Sequence, residues 1–390
     1  MTTMHLTDQR LRVNGFSPAG GTGEYCITGT APEELLLSEA LFELAKAYEA
    51  TLIETGLDAS TQQFARIMLS DAANDHEQFY SSALYRMVSH AACSVIEQCP
   101  LEGGQVTIFV YHVKSPADGI KWVSSPPGPD RSLLMQGNNY SLFWSPGLHC
   151  STEDGSERQT LKIFRSLESS LAQLGMSVKS NTVRTWLYVR DIDNNYTGMV
   201  KARRDFFETI GLTNNIRFIA STGIEGKAAK TKTLVTLDAL SIKGISEDQI
   251  IRMEAPYHMS STIAYGVTFE RGTRIRFGDR SHLYISGTAS IDHTGATVYL
   301  RDIKRQIERT LDNVEALLSP QGATFDDLFY LTVYLRNPKH FPILKSMLAE
   351  RIPENVPVIP VVAPVCRPEW LFEVDGQAII PDQTKFPVFA

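Results

Sequence analysis

A segment pattern that occurs three times along the chain restricts the possible folds more than any other feature of the sequence. Each copy opens with a short apolar strand that leads into a small-residue turn, with a glycine at Gly29, Gly147 and Gly287. An amphipathic helix follows, most clearly at 302–318, where apolar side chains recur every three to four residues. Self-similarity of this kind indicates a repeated structural unit, so we align the three copies on their glycines.

Further elements follow in the same order in each copy. They are a strand rich in β-branched and aromatic residues (64–69, 183–189, 329–335), a second amphipathic helix (75–91, 196–210, 338–350) and a final strand (105–113, 233–242, 371–379). One such βαβαβ unit has helices on only one face of its sheet, so the other face must be buried elsewhere. We therefore predict an α+β fold in which three tandem βαβαβ units form a pseudo-trimer within one chain.

The boundaries of the units follow from composition. We place unit 1 at 1–115, unit 2 at 140–243 and unit 3 at 255–385, with the Pro-, Gly- and Ser-rich stretch 116–139 as a linker. A length of 390 residues agrees with two or three domains. The alternative is that short β/α strings look alike in any mixed protein, and it has most weight for unit 1.

Charge and composition exclude several kinds of partner. The 37 basic and 44 acidic residues leave a net charge of −7, and no dense Lys/Arg run offers a surface for nucleic acid. No apolar stretch reaches membrane-spanning length and the N-terminus lacks a signal core, so we expect a cytoplasmic protein with no membrane partner. The five cysteines lack a CxxC pair, which favours reduced thiols. Histidine spacing and the glycine pattern predict no metal and no cofactor.

The segment 366–376 contains the most unusual cluster of side chains. A strand that starts near Trp370 places Glu373 and Asp375 on one face, close to Cys366 and Arg367. Such a set could be a general acid with the charges that tune it, or a solvated sheet face. The matching strands of the other units carry a different set: Thr236 and Asp238 in unit 2, and Thr107 and Phe109 in unit 1. A packing role would recur in every unit, so the difference favours one active site, in unit 3.

Several segments of units 2 and 3 resemble a known superfamily. They are 184–188, 220–224, 283–291, 311–318 and the Cys366-Arg367-Pro368 triplet with Glu373 seven residues after the cysteine. Unit 3 resembles the reactive intermediate deaminases (Rid or YjgF type, also called endoribonuclease L-PSP), which are trimers with active sites between subunits. Together the segments are similar to the chorismatases, a branch that carries tandem Rid-like units. The resemblance implies that the substrate is a small carboxylate, chorismate.

The chemistry implied by the resemblance starts with protonation of the methylene carbon in the enolpyruvyl ether of chorismate. The donor must stay protonated near neutral pH, which burial achieves for a carboxyl group by raising its pKa from roughly 4.3. We assign this role to Glu373, with Cys366 beside it. Arginine forks suit the substrate carboxylates. The substrate-binding candidates are Arg367, Arg271, Arg184, Arg203, Gly287, Gly223 and Tyr265, the last in a segment that resembles the loop closing over the ligand.

Two small residues bear on the product. Gly223 and Cys366 match the chorismatases that release 3-hydroxybenzoate, so we expect pyruvate with mainly 3-hydroxybenzoate and some 4-hydroxybenzoate. The plainer interpretation is that Gly223 supplies a turn with positive φ and Cys366 is a small buried hydrophobe. Two other functions stay open. One is a Rid-type imine or enamine deaminase that uses Arg367 and Glu373, and the other is a non-catalytic binder of small carboxylates.

Overall fold

Three β-sheets organise the chain in a computed structural model that describes residues 10–116, 131–260, 262 and 267–390, with the backbone of 121–124. The sheets contain five, six and six strands in chain order. Within the described residues, no helix combines the length and the apolar character needed to cross a membrane.

The first sheet has the strand order β1-β2-β5-β3-β4. Its strands are β1 (Leu11–Phe16), β2 (Gly23–Thr30), β3 (Gln62–Leu69), β4 (Ala92–Glu97) and β5 (Val106–Lys114). Its helices are α1 (Leu37–Thr55), α2 (Ala72–Ser81) and α3 (Ala83–Val88). The neighbours β3 and β4 are parallel, whereas the other neighbouring strands are antiparallel.

The second sheet has the order β10-β9-β11-β8-β7-β6. Its strands are β6 (Lys121–Ser124), β7 (Leu133–Gln136), β8 (Ser141–His149), β9 (Thr182–Val189), β10 (Ala220–Glu225) and β11 (Val235–Lys243). The helices α4 (Ser156–Gln173), α5 (Val178–Asn181) and α6 (Ile192–Thr209) belong to this part of the chain.

The third sheet has the order β12-β13-β14-β17-β15-β16. Its strands are β12 (Ile250–Met253), β13 (Gly272–Arg276), β14 (Arg280–Ala289), β15 (Leu328–Leu335), β16 (Val358–Val362) and β17 (Phe372–Pro381). The helices are α7 (Ile303–Leu318) and α8 (Phe341–Arg351). Asp302 caps α7 by accepting a hydrogen bond from the Arg305 amide, and the apolar stripe predicted from Ile303 to Leu318 is buried.

The three sheets share one topology. Across each sheet, the first two strands of the unit form a hairpin, and the last strand of the unit lies next to the hairpin. The central strand and a parallel edge strand follow in space. The strands β6 and β12 are additions at the outer edges of the second and third sheets. The predicted α+β fold of three tandem units is therefore confirmed, although each unit contains more strands than the sequence pattern indicates. The missed strands are the outer hairpin strands β1, β7 and β13, the parallel edge strands β4, β10 and β16, and the added strands β6 and β12.

Two boundaries need correction. The predicted linker 116–139 contains β6 and β7, and β7 pairs with β8 in the second sheet. The third sheet starts at Ile250, before the predicted boundary at residue 255. The linker prediction was wrong because Pro and Gly content marks the turns of a hairpin as well as a flexible connection. Gly223, for which a turn was the plainer interpretation, is likewise part of β10, a strand of small residues with little apolar signal.

The inner faces of the sheets meet in one aromatic core. Phe64 stacks on Trp144 with ring centroids 4.5 Å apart, and Trp144 stacks on Trp186 at 6.4 Å. Each pair of sheets also meets at an edge, where isolated β-bridges join Glu97 to Lys227, Ile224 to Val365 and Pro100 to Val361. The three units thus form three interfaces, each between a different pair, and the inner sheet faces are buried against one another as expected.

One buried ion pair crosses each interface. Arg66 binds Asp238 at 3.0 Å between the first and second sheets, and Arg184 binds Asp375 at 3.1 Å between the second and third. Arg280 binds Glu24 at 2.7 Å between the third and first. Charges this deeply buried are tolerated in proteins when they are paired, so each arginine depends on a carboxylate from another unit.

Candidate active site

A cavity of about 200 Å³ lies between the second and third sheets. It brings together most of the site residues predicted from the sequence: Glu373, Cys366, Arg367, Arg271, Arg203, Gly223 and Gly287. Tyr265 lies outside the described residues. Because the lining comes from both units, neither unit contains the whole cavity.

Glu373 is the second residue of β17 and lines the cavity while being only 3% exposed. Burial raises its pKa to about 8, and the neighbouring negative charge of Asp375 acts in the same direction. Arg271 and Arg184 offset part of this shift. The carboxyl group is therefore mostly protonated at neutral pH, which is the state that a proton donor needs. The alternative of a solvated sheet face is wrong, because both acidic residues of the strand are buried.

Arg184 lies behind the wall of the cavity. Its guanidinium is fully buried, binds Asp375 at 3.1 Å and donates a hydrogen bond of 2.7 Å to Thr222 Oγ1. Asp375 also accepts a hydrogen bond of 3.0 Å from the Tyr334 hydroxyl. The sequence expectation placed Arg184 among the substrate contacts, but the buried carboxylate of Asp375 takes its guanidinium. Arg184 therefore stabilises β17, the strand that carries Glu373, through its ion pair with Asp375.

Two glycines shape the cavity. A Cβ atom at Gly287 would lie 2.4 Å from Glu373 Oε1, so only glycine leaves room for the acid at this position. A Cβ atom at Gly223 would lie 3.2 Å from the side chains of Met199 and Tyr196. Gly223 belongs to β10 and does not have a positive φ, so the turn interpretation of this glycine is wrong. The missing Cβ atom of Gly223 instead keeps this part of the cavity from being crowded.

Arg203 and Arg271 approach one aromatic ring from the two units. Their guanidinium carbons lie 5.8 Å and 5.5 Å from the centroid of Phe269. Arg203 donates hydrogen bonds to Thr268 Oγ1 at 3.2 Å and to Ser221 Oγ at 3.3 Å. Its Nη2 is buried and has no hydrogen-bond partner among the described residues. A guanidinium nitrogen in this state is suited to an anionic ligand.

Arg367 lies at another part of the wall. It donates a hydrogen bond of 3.1 Å to the carbonyl of Gly295, and its guanidinium carbon lies 4.5 Å from the ring centroid of Trp370. The stacked geometry orients the planar fork, which is the arrangement that favours binding of a carboxylate. The cavity thus has three arginines in its lining and one protonated acid.

Cys366 and Tyr196 form a neutral pair beside Glu373. Burial raises the pKa of the Cys366 thiol to about 12, and the charge of Glu373 adds to this. Burial also raises the pKa of the Tyr196 hydroxyl well above its usual value, so both groups are neutral at neutral pH. A thiol with this pKa is a poor nucleophile near neutral pH, so Cys366 contributes the shape of a small side chain to the cavity wall.

Among the lining residues that sequence reasoning did not assign to the site are the polar or aromatic side chains Tyr196, Ser221 and Trp370. Trp370 was within the cluster noted at 366–376, although no role was assigned to it. Tyr196 offers a weak signal, because it follows the end of β9 by seven residues and His76 follows the end of β3 by the same number. Only the packing of β10 against β14 shows that Ser221 reaches the cavity.

Part of the chain is similar in sequence to known proteins. The family model described as Endoribonuclease L-PSP matches residues 275–380. A RutC family protein of Pyrococcus abyssi is 29% identical over 75 residues, which cover 19% of this chain and 59% of that protein. The 3-aminoacrylate deaminase RutC of Acinetobacter baylyi is 26% identical over 97 residues, 25% of this chain and 77% of that protein. The chain thus spans about three fifths of the first of these relatives.

A solved structure matches nearly the whole chain. The crystal structure of a chorismatase aligns with a TM-score of 0.64 at 18% identity, and the alignment covers 92% of this chain and 99% of that one. At this level of identity the match shows a common fold. It includes all three units, whereas the family model covers only the part of the chain that contains Glu373 and Arg367.

Proposed function

We propose that this chain, which carries a Rid/YjgF-type (endoribonuclease L-PSP) domain in its third unit and has the fold of a chorismatase, is an enzyme that cleaves the enolpyruvyl ether of chorismate. The products are pyruvate and mainly 3-hydroxybenzoate. One observation carries the proposal: Glu373 is a buried acid with a pKa of about 8 in a cavity that three arginines line.

Glu373 donates its proton to the methylene carbon of the ether. Carbon is a poor base, so the donor has to be a protonated acid held against it in a site that excludes water. The resulting oxocarbenium ion lies next to the carboxylate of the side chain. The proton transfer leaves Glu373 as a carboxylate. After a ring hydroxyl oxygen has added to the cation, the original ether bond to the side chain breaks and then the bond between the ring and the transferred oxygen breaks, so pyruvate leaves with that oxygen. The C–H proton that the ring loses as it aromatises returns Glu373 to its acid form.

The arginines hold the two carboxylates of the substrate. Arg203 and Arg271 approach from opposite units around Phe269, and Arg367 lies near the acid. Each charge-assisted hydrogen bond contributes about 1.5–3 kcal/mol net. Three cations around a dianionic ligand leave one positive charge in excess, which stabilises the carboxylate that Glu373 becomes when it gives up its proton.

The product depends on what captures the cation. A Cβ atom at Gly223 would crowd the side chains of Met199 and Tyr196, and its absence leaves the ring room to tilt until one of its own hydroxyl groups, rather than water, reaches the developing cation. This internal route gives 3-hydroxybenzoate and pyruvate with no net uptake of water. The neutral Cys366 thiol beside the acid adds no competing nucleophile.

Incubation of the full chain with chorismate is expected to release pyruvate and 3-hydroxybenzoate in equal amounts. Chromatography identifies the ring product, and a parallel incubation without protein supplies the background. A dominant non-aromatic dihydrodiol would show that water captures the cation and would overturn the product assignment. Absence of pyruvate above the background would overturn the whole proposal.

The pH dependence of turnover tests the environment of Glu373. Because the acid must be protonated, the rate is expected to fall as the pH rises through about 8. Asp375→Asn removes the nearby negative charge that raises the pKa of Glu373, and it frees Arg184, which lowers it. The alkaline limb of the profile therefore moves to lower pH, by roughly one unit.

Asp238→Asn is the matched control for this variant. Asp238 occupies the equivalent position in β11 and also loses a buried arginine partner, Arg66, when it is changed. Both variants lose stability, but only Asp375→Asn shifts the alkaline limb. An equal shift in both variants would show that the effect comes from general destabilisation of the fold.

A second function is favoured by one observation, the similarity of part of the chain to a 3-aminoacrylate deaminase. In that case Arg367 would hold the substrate carboxylate and Glu373 would orient the hydrolytic water. Incubation with 3-aminoacrylate and measurement of ammonia separates the two activities. A chain that binds chorismate and changes neither compound would instead be a non-catalytic carboxylate binder.

A further inference from the structure

The interface between the first and second sheets contains a larger cavity, of about 530 Å³. It lies at the position that is equivalent to the Glu373 cavity in the three-unit arrangement. Gly147 of β8 takes the place of Gly287 of β14, and both line their cavities. Thr236, the second residue of β11, takes the place of Glu373, the second residue of β17.

Two further positions agree. Lys230 precedes Thr236 by six residues, as Arg367 precedes Glu373, and both basic residues line their cavities. His76 follows the end of β3 by seven residues and lies at the wall, as Tyr196 does after β9. The frame of the active-site cavity is therefore repeated, with a different set of side chains.

The second cavity has the hydroxyl of Thr236 where the first has the carboxyl group of Glu373, and this difference limits its chemistry. Threonine donates and accepts hydrogen bonds but does not supply a proton to carbon. Thr236 is only 3% exposed, and its Oγ1 has no hydrogen-bond partner among the described residues. An unsatisfied buried hydroxyl in a cavity wall is suited to a polar group of a ligand, because leaving it without a partner is costly.

The wall that α2 and α3 supply is aromatic. The rings of Tyr80 and Tyr85 pack edge to face with their centroids 4.8 Å apart. The His76 ring packs edge to face on Tyr80 with a centroid distance of 6.3 Å. On the other side, Lys230 Nζ lies 3.4 Å from His149 Nε2. Glu77 also lines the cavity, so the basic end is balanced by one acidic side chain. A ligand with one negative charge fits this balance better than a dianion.

We propose that the cavity between the first and second units is a second ligand site, which binds a small aromatic monocarboxylate without converting it. The carboxylate binds Lys230, the ring packs on Tyr80 and Tyr85, and a polar ring substituent reaches Thr236. The site is separate from the Glu373 cavity, so the proposal stands whether or not chorismate is the substrate there.

Titration calorimetry with benzoate tests the proposal on the full chain. Lys230→Met is expected to weaken benzoate binding at this site at least about tenfold, since it removes one charge-assisted contact. Tyr80→Leu weakens it as well, through loss of the aromatic wall. Lys232→Met is the matched control, because Lys232 is exposed, two residues away and not part of the cavity wall.

Arg367→Met separates the two cavities. A benzoate site that is lost in Lys230→Met and retained in both Arg367→Met and Lys232→Met supports the proposal. Absence of benzoate binding to the wild-type chain, or a benzoate site that survives Lys230→Met, would overturn it. Equal affinity for cyclohexanecarboxylate, which has no aromatic ring, would overturn the assigned ligand class.

Discussion

Glutamine in place of Glu373 is expected to lower the turnover of chorismate by roughly a hundred- to ten-thousandfold. The amide keeps the shape of the side chain within the cavity but cannot give a proton to carbon. Since the three arginines of the lining are unchanged, KM is expected to stay close to its wild-type value. Pyruvate release at a series of chorismate concentrations measures both constants. A variant that keeps most of the wild-type rate would remove Glu373 from the mechanism.

The same variant has an independent readout in stability. A carboxyl group with a pKa of 4.5 when unfolded and about 8 when folded binds more protons in the folded state between these values, so it makes stability fall as the pH rises through this window. Glu373→Gln removes that loss. We expect the variant to be more stable than the wild type above pH 8, by roughly 2–4 kcal/mol, and similar to it near pH 4. Denaturant unfolding at both pH values checks the sign.

Arg280→Met is expected to destabilise the chain by about 3–5 kcal/mol. Arg280 is fully buried, binds Glu24 at 2.7 Å and donates a hydrogen bond to the Thr22 carbonyl at 2.5 Å. Burial alone would raise the pKa of Glu24, but His282 and Arg280 lower it to about 2. Without the guanidinium, His282 remains to stabilise the buried charge of Glu24, and it offsets only part of the cost of burying that charge. Chemical denaturation at pH 7 measures the loss.

The contribution of Glu24 to the stability of the wild type changes with pH in the opposite direction to that of Glu373. A depressed carboxyl pKa contributes stability that is present above about pH 4.5 and lost as the pH falls through 2. Arg305→Met is the control, since the exposed Arg305 pairs with Asp302 at 3.7 Å and its loss costs less than about 1 kcal/mol. Adding Glu24→Gln to Arg280→Met should restore part of the stability. A loss in Arg280→Met no larger than in the control would contradict a buried pair.

Local periodicity was enough to predict the helix at α7, the central strands and the threefold repeat. The alternation of side chains on a strand also placed Glu373 and Asp375 on one face, and the short segment between Arg367 and Glu373 put these two side chains in one cavity. These features depend on residues that are close in sequence. The edge strand β10 was not predicted, because small residues such as Ser221 and Gly223 carry little strand signal until the neighbouring sheet packs on them.

The place of Arg184 shows what sequence could not provide. Its partner Asp375 is far along the chain and in another unit, and only the packing of the two sheets makes the ion pair. The same is true of Tyr196, whose ring reaches the cavity from the second unit. A basic residue on a strand predicts an anionic partner, but the choice between substrate and protein depends on tertiary contacts.

The closure of three units within one polypeptide has consequences for how the Glu373 cavity is maintained. Its two walls are tethered, so their association is a first-order process with an effective concentration that dilution does not change. Separate identical subunits would follow mass action and would carry every substitution at all three interfaces. Tethering removes this restraint, as the different residues at one equivalent position show: Glu373, Thr236 and Thr107. Each interface can therefore diverge while the other two preserve the assembly.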